Sequence, residues 1–181
     1  MAADYKQLTT FLVEKGIEKV PHSQKTYLAH LVGVYRLMDT HGCTPEVCRA
    51  GMFHSIYGTE QFQGFKLELE QRPQVRDLIG ERAERLGYLN CAMDRAAFDA
   101  ILSQETEPYL FRDRVTGQAI ELSRADFDDL CRVHLFDWFE QVSRSRLGWN
   151  YRRAGYRGMA ERLGPDVIRL YDEVFAKEPG E

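Results

Sequence analysis

No stretch of this chain approaches the ~20 consecutive apolar residues that a membrane-spanning helix needs, which points away from a membrane partner. No two of its four cysteines, Cys43, Cys48, Cys91 and Cys131, stand at CxxC spacing. That excludes the usual zinc-ribbon and thioredoxin-like signatures and leaves free thiols, packed as small apolar groups, as the expectation. A basic excess is also lacking, since 24 Lys and Arg stand against 28 Asp and Glu for a net charge of −4. Broad nucleic-acid binding is therefore not expected, although a local cluster of Arg or Lys can still receive a small anion. There is no repeat, low-complexity tract or interdomain linker. Met1-Ala2-Ala3-Asp4-Tyr5-Lys6 lacks the basic start and apolar stretch of a signal peptide, so a cytoplasmic location is expected. What is present suits a packed core: 44% hydrophobic and 12% aromatic residues in 181, with 29% charged. The length fits one domain, 1–181.

The apolar periodicity is helical nearly throughout. Leu8, Phe11 and Leu12 recur at helical spacing between Tyr5 and Lys15, and Gly16 ends that run. Pro21-His22-Ser23 reads as a loop or cap. Gln24 to Thr40 reads as a helix with Tyr27, His30, Leu31, Val34, Leu37 and Met38 on one face, stopped at Gly42. Thr44-Pro45-Glu46 is a helix start: Thr caps free N–H groups, Pro suits the first position, and Glu complements the dipole. That helix delivers His54 near its C-terminal end, and Gly58 breaks the chain direction. Leu67 to Leu69 suggests a short turn, and Pro73 to Asn90 one long helix. Two short runs around Val115-Thr116-Gly117 read as a β-hairpin near 110–122. Ser123 caps a helix to about Arg144, and two more helices follow, about Tyr151–Leu163 and Pro165–Ala176. The expected fold class is all-α with one small hairpin.

Five histidines occur, at 22, 30, 41, 54 and 134. A histidine on a helix is usually packed or solvated, but His30 shares its face with Tyr27, Leu31 and Val34, and His54 ends a helix with an apolar face. Two inward imidazoles on successive antiparallel helices can meet, and imidazole is a common ligand for transition metals. Two imidazoles want an anionic oxygen. Asp137 is the candidate, because a carboxylate in the apolar run Val133-His134-Leu135-Phe136-Asp137-Trp138-Phe139 must be paired, protonated or bound to a cation. His134 and Glu140 lie three residues either side of it on the same stripe; the alternative is that this stripe is a partly exposed face.

His30, then Ala50-Gly51-Met52-Phe53-His54, then a distal helical Asp137 resembles the H…HD…D pattern of the HD-domain superfamily. Its members are helical, metal-dependent proteins, mostly phosphohydrolases with a minority of iron oxygenases. Ser23, Tyr27 and His30 resemble the S-x-x-x-Y-x-x-H motif of the Rel/Spo alarmone hydrolase domain. Val75-Arg76-Asp77-Leu78-Ile79-Gly80 resembles a later helix of that domain. The string Phe53-His54-Ser55-Ile56-Tyr57-Gly58-Thr59-Glu60 is similar to an uncharacterised domain family that carries it. The resemblance covers about Ser23 to Arg144. It implies an HD-like helical bundle with a metal on His30, His54 and Asp137. It also exposes departures: the dyad's Asp is Ser55 here, and the Rel/Spo acidic pair falls on Gly58 and Thr59.

Three outcomes follow from these residues. The site holds one divalent metal (manganese, iron or zinc) and acts on a small anionic substrate, phosphoester hydrolysis being the first expectation and an HD-type iron oxygenase a variant. Or the metal is lost, and Ser55, Tyr57 and Thr59 bind a ligand in a non-catalytic binding or interaction domain. Or the segment is structural. Ser55, Tyr57, Thr59 and Glu60 are the candidate catalytic residues. Lys25, Tyr27, Arg72, Arg76 and His134 are the candidate substrate contacts, with Arg112 and Arg114 as further anion receptors. Arg144, Arg146, Arg152, Arg153 and Arg157, interleaved with Trp149, Tyr151 and Tyr156, read either as an anion or partner surface or as a turn packed by stacking. A homodimer is left open.

Overall fold

A computed structural model describes residues 3–180. Among them are nine α-helices, α1 (Tyr5–Glu14), α2 (Tyr27–Thr40), α3 (Pro45–Met52), α4 (Arg72–Ile79), α5 (Glu81–Ala92), α6 (Arg95–Ala100), α7 (Arg124–Gln141), α8 (Arg153–Leu163) and α9 (Pro165–Phe175). Two antiparallel hairpins accompany them, β1 (Pro21–His22) with β2 (Lys25–Thr26), and β3 (Tyr109–Arg112) with β4 (Ala119–Leu122). The fold is all-α, and among the described residues no helix is long and apolar enough to cross a membrane.

α7 is the axis. Every side chain from Val133 to Phe139 is buried, and a helix apolar on all sides must be enclosed by others. It packs against α2, α3, α5 and α8. Any polar residue in that stretch therefore ends in the interior, and His134 and Asp137 do. α2 and α3 cross closely because Gly51 has no side chain. A Cβ there would stand 2.2 Å from Met38 Sδ. α3 starts as its sequence dictates, with Thr44 Oγ1 accepting from Val47 N and Pro45 in the first turn.

The structure departs from the sequence reading in four places. The predicted helix 73–90 is two helices, because Gly80 adopts φ 95°, ψ 152°, a conformation open to glycine and not to an L side chain. The bend is supported by Arg49, whose Nε donates to the Ile79 carbonyl at 2.8 Å. Pro21-His22-Ser23 is not merely a loop. Ser23 and Gln24 both take positive φ (40° and 63°), the backbone of a two-residue hairpin turn, so α2 starts only at Tyr27, capped by Thr26. The expected turn at 67–69 is a single 3₁₀ turn at Leu69–Gln71. Finally, α6 was not anticipated; Asp94 caps it by accepting from Ala97 N at 3.0 Å.

Candidate metal centre and cleft

His30 comes from the buried face of α2, His54 from the turn just past α3, and Asp137 from the middle of α7; all three are buried. His30 Nε2 lies 3.1 Å from Asp137 Oδ1, His54 Nε2 lies 3.3 Å from it, and the two Nε2 atoms are 3.4 Å apart. Donors ~2.1 Å from one ion and ~90–110° apart around it stand roughly 3.0–3.4 Å from one another. The three atoms fit that spacing, and this group can hold a metal ion.

The hydrogen bonds behind the rings settle which nitrogens face inward as lone pairs. His54 Nδ1 sits 2.7 Å from the Gly51 carbonyl oxygen, which only accepts, so Nδ1 carries the proton. His30 Nδ1 donates likewise to Glu140 Oε2 at 2.5 Å. Each neutral imidazole therefore turns an Nε2 lone pair toward the carboxylate oxygen. Three acceptors converging without a donor repel each other unless a cation or a proton sits among them. Burial opposes charge on His30, yet its bonds to Asp137 and Glu140 outweigh burial and raise its pKa. Burial likewise opposes ionisation of Asp137, but the imidazoles of His54 and His30 beside it hold its carboxyl well below the usual range. Both directions describe a place where positive charge is favoured.

The supporting groups are built in. A carboxylate behind a ligating imidazole fixes its tautomer and raises its basicity, and Glu140 occupies that position. Glu140 in turn receives Lys25 Nζ at 3.2 Å and the Arg144 guanidinium. Gln141 Nε2 donates to Asp137 Oδ1 at 2.7 Å, and Ser23 Oγ reaches Gln141 Oε1 at 3.1 Å. The His22 ring stacks on His30 with centroids 4.3 Å apart. Burial, together with the charge of His30, lowers the pKa of His22 to about 4.

Two of the three donor residues, His54 and Asp137, line a cleft of about 720 Å³ together with Ser55 and Thr59, and His30 lies behind them, fully buried. Four cationic side chains line it, Lys25, Arg95, Arg144 and Arg146, against one carboxylate, Asp137.

Not every predicted site residue reaches this place. Ser55 and Thr59 line the cleft, and Ser55 Oγ is 2.9 Å from the Tyr27 hydroxyl, which is fully buried. Lys25 is at the mouth. Tyr57 is turned away, its hydroxyl donating to Glu84 Oε1 at 2.9 Å. Arg72 grips the same buried Glu84 through two bonds of 2.7 and 3.1 Å, with Arg76 at 3.9 Å. These three residues are drawn to Glu84, not to the metal group. Glu60 is exposed and accepts from Arg95 N at 3.4 Å. His134 is not a cleft residue; its Nδ1 donates to Asn90 Oδ1 at 2.9 Å and its Nε2 accepts from Arg152 at 2.7 Å. Asn90 then donates to the His54 carbonyl at 2.8 Å, so His134 braces the site from behind. Arg114 holds the Gly58 and Cys91 carbonyls, and Arg112 lies 3.8 Å from Asp94. Of the C-terminal arginines, Arg152, Arg153 and Arg157 stack on Tyr156, Phe175 and Tyr171, while Arg144 and Arg146 face the cleft.

Sequence reasoning missed Arg95, His22 and the roles of Glu140 and Gln141. Only Glu140 carried a signal, its i, i+3 spacing from Asp137 and i, i+4 spacing to Arg144.

No curated protein and no solved structure matches the chain. Residues 11–95 match a family described as Domain of unknown function (DUF6817). The matched segment contains His22, His30, His54 and Arg95 and ends before Asp137 and Glu140.

Proposed function

We propose that this protein is a mononuclear, metal-dependent enzyme of HD-like ancestry that acts on a small anionic substrate, with phosphoester hydrolysis as its reaction. The observation that carries this reading is the convergence of three lone pairs, on His30, His54 and Asp137, two of which, His54 and Asp137, belong to residues lining a cleft with four cationic side chains. Two imidazoles and one carboxylate are a donor set for manganese, iron or zinc. A divalent cation held there supplies Lewis acidity toward a phosphoryl oxygen.

The chain's own groups do the rest. Glu140 and the Gly51 carbonyl hold the two imidazoles in the tautomer that offers Nε2. Gln141 orients the Asp137 carboxylate. Lys25 and Arg144 offset the charge of Glu140 and keep the floor of the cleft receptive to an anion. Ser55 and Thr59, which line the cleft, contribute hydroxyls to ligand contact in this reading.

Metal analysis of protein purified without chelator tests the reading, followed by hydrolysis of p-nitrophenyl phosphate and its bis ester with manganese, iron or zinc. The expected result is about one equivalent of metal, lost in His54→Ala together with turnover. A wild type that arrives metal-free and takes up none of the three ions overturns it.

A second reading has an observation in its favour. Among the described residues Asp137 is the one carboxylate lining the cleft, already engaged by two imidazoles and Gln141, so none of them offers the cleft a free carboxylate as a general base. A binding domain on the same scaffold accounts for that. It predicts stabilisation by a metabolite anion with no turnover at any metal loading.

A further inference from the structure

The four cations of the cleft are not equivalent. Lys25 and Arg144 both pair with Glu140. Arg146 is exposed, where water solvates its charge. Arg95 alone is buried, at 9% exposure, and among the described residues it forms no ion pair with a carboxylate. Its guanidinium donates one hydrogen bond, from Nη1 to the Tyr151 hydroxyl at 3.3 Å. A guanidinium carries five N–H donors, and the Arg95 nitrogens that bind no protein group are not sealed from solvent, so donors remain to face the cleft. The cleft lining holds a second donor without a partner. The Trp138 indole, 2% exposed, lines the cleft, and its Nε1–H is buried with no partner.

We propose that Arg95, held by Tyr151, is the anion-recognition subsite of this cleft, taking a phosphate or carboxylate group bidentately. Planar guanidinium matches two oxygens of such a group and an ammonium does not. The subsite and the metal group open into the same cleft, which names the substrate class more closely than the previous reading. The substrate carries an oxyanion for Arg95 in addition to the group presented to the metal. In that respect the inference rests on the proposed metal site, but the Arg95 subsite stands without it.

The test is calorimetric titration with inorganic phosphate, and separately with acetate, on wild type, Arg95→Gln and Arg95→Lys, each loaded with manganese and each stripped by chelator. Saturable phosphate binding is expected in the stripped wild type, weakened at least tenfold in Arg95→Gln and only partly restored in Arg95→Lys. Thermal denaturation separates recognition from scaffolding. Arg95→Gln should melt no lower than wild type without phosphate and should gain less from adding it. Phosphate binding that Arg95→Gln leaves intact, or none in any wild-type form, overturns the subsite. Arg95-dependent binding in a protein that takes up no metal overturns the metal reading and leaves the subsite standing.

Discussion

Replacing Glu140 by Gln removes one negative charge behind His30 and keeps the side chain's shape. Glu140 Oε2 is 2.5 Å from His30 Nδ1, one imidazole ring away from the metal group, and only 7% of the side chain is exposed. A full charge roughly 7 Å from a divalent ion is worth about 5 kcal/mol at an effective dielectric of ~20. Lys25 and Arg144 already neutralise much of it, so the net effect falls to the size usual for partners of ligating histidines. That is about 10–100-fold in metal affinity, or ~1.4–2.7 kcal/mol. Competition against a chelating fluorophore, with zinc and with manganese, measures it directly. Glu140→Gln should lose affinity for both ions, with the His54 side of the site intact. Dissociation constants within twofold of wild type would refute the reasoning, because Glu140 would then be only a salt-bridge partner of Arg144.

Three further outcomes follow. Gly51→Ala puts a Cβ 2.2 Å from Met38 Sδ and 3.3 Å from Val34 Cγ1 and should cost ~1–3 kcal/mol by overpacking; an unchanged urea midpoint would contradict the α2–α3 crossing. His22 has a folded pKa of about 4 against an ordinary 6.5, lowered by burial and then by His30. The unfolded chain therefore takes up the proton first, and this contribution is present above pH 6.5 and lost as pH falls toward 4. His22→Phe should show a shallower loss of stability between pH 7 and pH 4.5 than wild type, and equal slopes would remove His22 from the account. Chelator treatment should lower the melting temperature and manganese should restore it, by ~2.7 kcal/mol at a hundred times the dissociation constant. His54→Ala should lose that response.

Much of the bundle is legible because helical periodicity and caps are local: Thr44-Pro45-Glu46 starts α3 and Ser123 starts α7 as their chemistry dictates. His30 and Asp137 could be picked out because each is a polar residue in an apolar face, and such a residue is conspicuous in sequence alone. Their meeting is tertiary, and so are the misreadings. His134 precedes Asp137 by three residues, which at ~100° per residue leaves it about 60° away around the helix, enough to face Asn90 rather than the cleft. Tyr57 lies near His54 in sequence but answers to Glu84, 27 residues on. Arg95 belongs to a six-residue helix that apolar periodicity does not reveal, and its burial depends on that helix and on the loop carrying Tyr151.

The residue at 55 decides what kind of site this is. The HD resemblance expects a carboxylate there. Ser55 is 2% exposed and bonds the Tyr27 hydroxyl at 2.9 Å. With one carboxylate among the donors, a divalent ion keeps one unit of positive charge, and an anionic ligand is drawn to it. Ser55→Asp would supply a second carboxylate and cancel that remaining charge. Stripped of metal, the variant buries two carboxylates together and should melt below wild type, since like charges in one site disfavour each other. Loaded with manganese, it should regain more than wild type does, so the gap between loaded and stripped melting temperatures widens. Phosphate should bind the loaded variant more weakly, because the net charge it meets has fallen by one unit. Metal affinity and anion affinity thus move in opposite directions in one substitution. A purely structural Ser55 would lower the two melting temperatures equally and leave phosphate binding where it was.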